Sequence, residues 1–208
     1  MKTQTSPRQP QTLGPKSGEA PSTLYFSNTP VEEFGYYGGA FHDAALVLAR
    51  SLARRRGHKN GDVLPLLFLY RHAIELSAKA TILSGNRLLS LAGQGQTDDE
   101  VFKNFKKWKH RLVPLLPSIK EIFAFVNWEW FWPNSNIETF AEVEAVFQDL
   151  ELIDPDSFTF RYPTNLQGAR SARIDIQFGL GTSINVLDDL AEALQTSIFG
   201  LDAECSKY

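Results

Sequence analysis

The chain has 208 residues, 43% of them hydrophobic and 22% charged, with a formal net charge of −3. That length suits one domain, with or without a tail, and the apolar content excludes a disordered chain. The single cysteine, Cys205, excludes an intrachain disulfide and a thiolate zinc site, so a reducing cytosol is the expected compartment. No run approaches the roughly 18 apolar residues of a membrane span, and the N-terminal stretch lacks a charged-then-apolar secretory pattern, so a cytoplasmic protein without membrane contact is expected.

Charge is distributed unevenly. Residues 1–120 hold 17 Lys/Arg against 9 Asp/Glu, whereas residues 121–208 hold 4 against 15. The basic residues cluster at Arg50, Arg54, Arg55, Arg56 and Lys59, and again at Lys103, Lys106, Lys107, Lys109 and Arg111. No Lys or Arg occurs between Glu121 and Phe160. Such polarity steers a polyanion to one face or pairs two copies of the chain; two solvated helix faces would read the same way.

Taken in chain order, residues 1–30 read as a flexible tail rich in Thr, Gln, Ser, Pro and Gly, and residues 31–208 as the folded domain. A first helix is predicted from about Glu32 to Arg56, with Phe41, Ala44, Ala45, Leu48 and Leu52 at helical spacing and Gly57 as its stop. A second is predicted from an Asp62 N-cap to about Ser84 and Gly85, followed by a loop over 86–99. A basic helical stretch leads to Leu112, where Pro114 and Pro117 argue for a break or a new start. Ile137 to Leu152 reads as an amphipathic helix ended by Asp154-Pro155. Phe158–Tyr162 and Arg173–Phe178 alternate and read as a small β-hairpin, and a final helix is predicted from about Ser183 to Phe199. The fold class is therefore mainly α, a helical bundle with one small hairpin before the last helix.

The second helix carries the most chemistry. With Arg71 at zero, Glu75 falls at about 40°, Lys79 at about 80° and His72 at about 100° around the helix axis. Four ionisable side chains thus share one quarter of an otherwise apolar helix. Either Glu75 pairs with Arg71 or Lys79 in a structural cluster, or the group lines a cleft, or it forms a wet stripe.

The segment Leu69-Tyr70-Arg71-His72-Ala73-Ile74-Glu75-Leu76, followed by Lys109-His110-Arg111-Leu112 and by Phe160-Arg161-Tyr162-Pro163, resembles bacterial proteins of the HEPN superfamily. The resemblance follows the order of elements from about Phe41 to Phe199, although only some twenty residues are motif-like. It implies a helical bundle, often dimeric, and either a metal-independent ribonuclease of toxin–antitoxin or phage-defence systems or a relative without catalysis. The superfamily's ribonuclease signature is an Arg separated from a His by four to six residues. It is absent here; the nearest pair, Arg54 and His58, has three between.

The candidate catalytic residues are accordingly Arg71, His72, Glu75 and His110. A His would take the 2′-hydroxyl proton and a cation would stabilise the phosphorane. Lys79, Arg161, Tyr162, Arg54, Arg55, Lys107, Lys109 and Arg111 are the candidate RNA-binding or supporting residues. The aromatic run Phe123, Phe125, Trp128, Trp130, Phe131 and Trp132 lies in the acidic half, which favours a core or subunit interface over base stacking.

No cofactor or metal is expected. Gly179-Leu180-Gly181 lacks a third glycine, no P-loop occurs, and His42, His58, His72 and His110 lack ligand spacing. His42-Asp43 reads as a capping contact. The expected partners are a second copy of the chain and RNA, with a cognate antitoxin or defence-complex subunit as a further partner. The second reading is a non-catalytic helical module that docks on another protein.

Overall fold

The apolar run that follows Asp62 becomes the axle of the molecule. In the structure, a computed structural model, residues 30–208 are described apart from 56, 58, 131, 133, 134, 166 and 172–178. Six α-helices occur among the described residues: α1 (Pro30–Ala53), α2 (Asn60–Leu91), α3 (Asp98–Trp108), α4 (Leu116–Phe125), α5 (Phe140–Ile153) and α6 (Leu180–Cys205). A single 3₁₀ turn, Val113–Leu115, leads into α4 at the two prolines. The mainly α architecture is thus present, as a bundle in which α2 packs against α1 on one flank, α6 on another and α4 near its C-terminal half. Leu66, Tyr70, Ile74, Ala78 and Leu83 of α2 are almost wholly buried in this contact, together with Leu52 of α1 and Leu190 and Leu194 of α6. No described helix is long and apolar enough to cross a membrane.

Several boundaries differ from the sequence expectation. The first helix ends at Ala53, three residues early, and α2 begins at Asn60 with Lys59 as its cap. Asp62 does not cap it; its carboxylate accepts from the Lys59 amide at 3.1 Å, one turn inside. Gly85 does not end α2, which continues to Leu91. A Cβ at Gly85 would stand 2.4 Å from a methyl of Ile122, so the glycine lets α4 lie close against α2. The loop is therefore only 92–97, closed by Thr97, whose hydroxyl accepts from the Glu100 amide while Glu100 accepts from the Thr97 amide.

The hairpin is not seen among the described residues. Phe158–Tyr162 forms a tight turn in which the amides of Arg161 and Tyr162 both donate to the Phe158 carbonyl, and the second strand, 173–178, lies outside the described residues. The nearest β feature is an isolated antiparallel bridge between Thr164 and Arg170. Phe160 is buried, and one large ring anchoring a turn accounts for the alternation of the first segment. The expected tail also lies outside the described residues, except for Pro30, which opens α1. His42 does not cap its own helix with Asp43; its Nε2 donates to Asp188 of α6 at 2.6 Å and ties α1 to α6.

One backbone feature bears directly on the site. Trp108-Lys109-His110-Arg111 is a β-turn closed by Arg111 N–H to Trp108 C=O at 3.0 Å, with Lys109 at φ 55° and ψ −114°. That position favours glycine, and a lysine there stores of order 1–3 kcal/mol. We predict that Lys109→Gly raises stability by about 1 kcal/mol, net of glycine's extra freedom in the unfolded chain. A urea midpoint that stays put or falls would contradict a strained turn.

Candidate functional site

Arg71 and Glu75 are one turn apart on the face of α2 that meets the 109–111 turn and the end of α5. Arg71 is completely buried. Its Nη1 donates to Glu75 Oε2 at 2.9 Å, its Nε donates to the Asp154 backbone carbonyl at 3.1 Å, and its Nη2 donates to the His110 backbone carbonyl. The Asp154 carboxylate lies 3.4 Å from Nε, adding a second negative charge. One turn further, Lys79 Nζ donates to Glu75 Oε1 at 2.6 Å and to the Lys109 carbonyl at 3.0 Å. Two buried cations therefore face two buried carboxylates, Glu75 and Asp154. Their remaining donors hold the two carbonyls of the Lys109–His110 turn.

This network explains why a lysine tolerates positive φ at 109. Both carbonyls of the turn accept from α2 side chains that have no water to turn to, so the surroundings over-determine the conformation. Burial works against the Glu75 charge, but the hydrogen bond from His110 and the Lys79 and Arg71 cations outweigh it and hold the carboxyl well below the usual range.

His110 is the outward end of the same network. Its imidazole is 45% exposed, and its Nδ1 lies 3.0 Å from Glu75 Oε1. An ionised carboxylate only accepts, so Nδ1 carries the proton and the neutral ring keeps its lone pair on Nε2. The buried Glu75 thus orients an accessible imidazole and fixes its tautomer.

His72 is placed differently. It makes no hydrogen bond to Glu75; its ring lies edge-on to Phe41 at 4.5 Å and stacks on Phe68 at 5.5 Å, with Nδ1 unpartnered. Burial in this aromatic slot lowers its pKa, and the nearby His110, Arg71 and Arg161 push the same way against Glu75. Arg161 does not reach Glu75. Its guanidinium lies over the Phe68 ring at 5.4 Å, and its Nε donates to the Ser157 carbonyl at 2.6 Å. Tyr162 is half-exposed and packs on Phe158. The accessible surface here consequently presents His110 and Arg161, with His72 only partly exposed.

The basic residues divide into two kinds. Arg111 forks onto Glu151 at 2.8 and 2.7 Å, and Glu151 also accepts from the Leu112 and Val113 amides. Arg55 pairs with Asp62 at 2.9 Å. Arg54, Lys107 and Lys109 have exposed side chains. Arg56 and His58 lie outside the described residues.

Two members of the network escape a reading of the sequence: Asp154, which marks only a helix end there, and Glu151. A fully buried Arg requires more than one acceptor group, and that requirement is the available signal for Asp154. No group of His, Cys, Asp and Glu suited to a metal ion occurs among the described residues. Comparison with family models, with curated proteins and with solved structures finds no match to this chain.

Proposed function

We propose that the chain acts on RNA as a HEPN-like protein and cleaves it without a metal ion through His110. The observation that carries this reading is the Glu75–His110 dyad: an accessible imidazole, its tautomer set by a buried carboxylate, beside exposed cationic groups. Nε2 of His110 would take the proton of a ribose 2′-hydroxyl. The freed oxygen attacks the adjacent phosphorus, the bond to the 5′-oxygen breaks, and that oxygen leaves with a proton from solvent. The products are a 2′,3′-cyclic phosphate and a 5′-hydroxyl. Arg161 and Lys109 would stabilise the developing phosphorane charge. Arg71 is a positioning residue in this scheme, since its donors are engaged in the interior and reach no substrate.

A non-catalytic interaction module is the competing reading, and the internal saturation of Arg71 and Lys79 supports it. The test is incubation of the purified chain with total cellular RNA, with and without a chelator. We expect chelator-resistant cleavage ending in cyclic phosphate. We also expect RNA affinity to fall steeply between 50 and 200 mM salt, by roughly the slope of a few neutralised phosphates, because Arg55 and Arg111 are already paired. Intact RNA together with salt-independent binding would overturn the proposal in favour of the module.

A further inference from the structure

Trp128, Trp130 and Trp132, three of the four tryptophans, line one recess against the C-terminal half of α6, and no residue of the His110 turn is among its lining. The recess has a volume of about 280 Å³, and Phe123 and Glu129 complete its wall. Phe123 is a buried core residue. Trp130 stacks on it at 5.7 Å and 16°, whereas Trp128 meets it edge-on at 5.7 Å and 77°. The Trp128 and Trp130 planes therefore stand at a steep angle to each other, as two walls of a box. Trp130 is steadied by its Nε1, which donates to the Ile137 carbonyl at 3.4 Å. Trp128 lies on Gly200, where a Cβ would stand 2.6 Å from its ring, so a side chain on α6 at this position would push the indole aside.

The electrostatics of the recess have one sign. Indole faces attract cations, and Trp does so best among the aromatics. Glu129 adds a carboxylate at the wall. The chain supplies no cation of its own from either segment that builds the box: Glu121–Phe160 and α6 contain no Lys or Arg. Lys120, just ahead of the first segment, is engaged by Glu144 at 3.8 Å and by the Phe140 ring. Glu129 is exposed at the rim, so its carboxylate stays solvated and can meet a cation that enters the recess.

We propose that this recess binds an alkylated ammonium group, with the indole faces as its walls and Glu129 as its counter-charge. The group is either a free quaternary ammonium compound or the methylated end of a lysine side chain. Recognition of this kind needs a desolvated cation over aromatic faces, and a recess of about 280 Å³ has room for one such head group.

The box contains most of the chain's indoles, so tryptophan emission reads the site directly. The full chain is titrated with choline, with a short peptide bearing trimethyllysine, and with 3,3-dimethylbutan-1-ol, the neutral isostere of choline. We expect a saturable change with at least one cation, at least tenfold tighter than with the alcohol. The tighter of the two cations identifies the source of the group. Glu129→Gln, an exposed position whose exchange disturbs no packing, should weaken cation binding several-fold and leave the alcohol unaffected. Gly200→Ala should displace Trp128 and abolish binding. No saturation with either cation, or equal affinity for cation and alcohol, would overturn the proposal; if Gly200→Ala does not fold, the Glu129→Gln arm and the alcohol comparison decide it.

Discussion

Glu75→Gln lowers the free energy of unfolding by about 3–5 kcal/mol, the loss expected when one member of a buried ion-pair group is neutralised and the others stay. Gln keeps the size and one acceptor oxygen of Glu, so no cavity enters the comparison. What changes is charge: Arg71 and Lys79 remain buried, with Asp154 as the only buried carboxylate left beside Arg71 among the described residues. Against a total stability of some 5–15 kcal/mol, that is about a fifth or more. Replacing Arg71, Glu75 and Lys79 together by Met, Leu and Met, with the buried Asp154 changed to Asn, should recover part of the loss, as removing all buried charge often does. Recovery will be incomplete, because the Lys109, His110 and Asp154 carbonyls then lose their donors. Chemical denaturation of the three proteins checks this; a Glu75→Gln variant within 1 kcal/mol of wild type would show that the cluster is hydrated.

The same residue sets an acid limit. Its pKa is lower in the folded state than in the unfolded one, so its contribution is complete above the ordinary carboxylate value of about 4.3 and is lost as pH falls towards the folded value. His72, also lowered, contributes stability that is complete above about 6.5 and declines below it. The stability difference between wild type and Glu75→Gln should therefore shrink below about pH 4.3, and that between wild type and His72→Gln should shrink from about pH 6.5 downward. Denaturant midpoints at a series of pH values separate the two windows. A difference for Glu75→Gln that stays constant down to about pH 3 would contradict a native carboxyl that ionises more readily than the unfolded one.

His110→Ala carries the other large effect. If His110 is the base, its removal should lower RNA cleavage by about 10²–10⁴-fold, the usual range for a general base. Stability should change by no more than about 1 kcal/mol, since the ring is half-exposed and the carbonyl that holds Arg71 belongs to the backbone. The two readouts together are discriminating. Loss of cleavage with an unchanged denaturation midpoint places the chemistry on the imidazole. Unchanged cleavage excludes His110 as the base and directs attention to His72, whose variant then becomes the decisive comparison. A rate and a stability that fall together would mean that the ring serves the turn and not the reaction.

The helical class, the central place of α2 and the grouping of Arg71, Glu75 and Lys79 on one quarter of that helix are legible in the chain of residues. Those features rest on local periodicity and on 3.6-residue geometry, which a single sequence displays directly. Even the pairing of Glu75 with Arg71 and Lys79 is open to reading, because neighbours at i−4 and i+4 share a face. How far α2 runs past Gly85 is a different matter, since only the approach of Ile122 from α4 gives that glycine its use. Tertiary packing also separates His72 from His110: the residue next to Arg71 turns into a slot of Phe41 and Phe68, while one 38 positions later reaches Glu75 across a strained turn. It takes Arg161 off the expected hairpin and stacks it on Phe68. Local sequence records which side chains share a helix face, but which distant backbone carbonyl satisfies a buried cation is a property of the packed chain. For Arg71 those carbonyls belong to Asp154 and His110, 83 and 39 residues away.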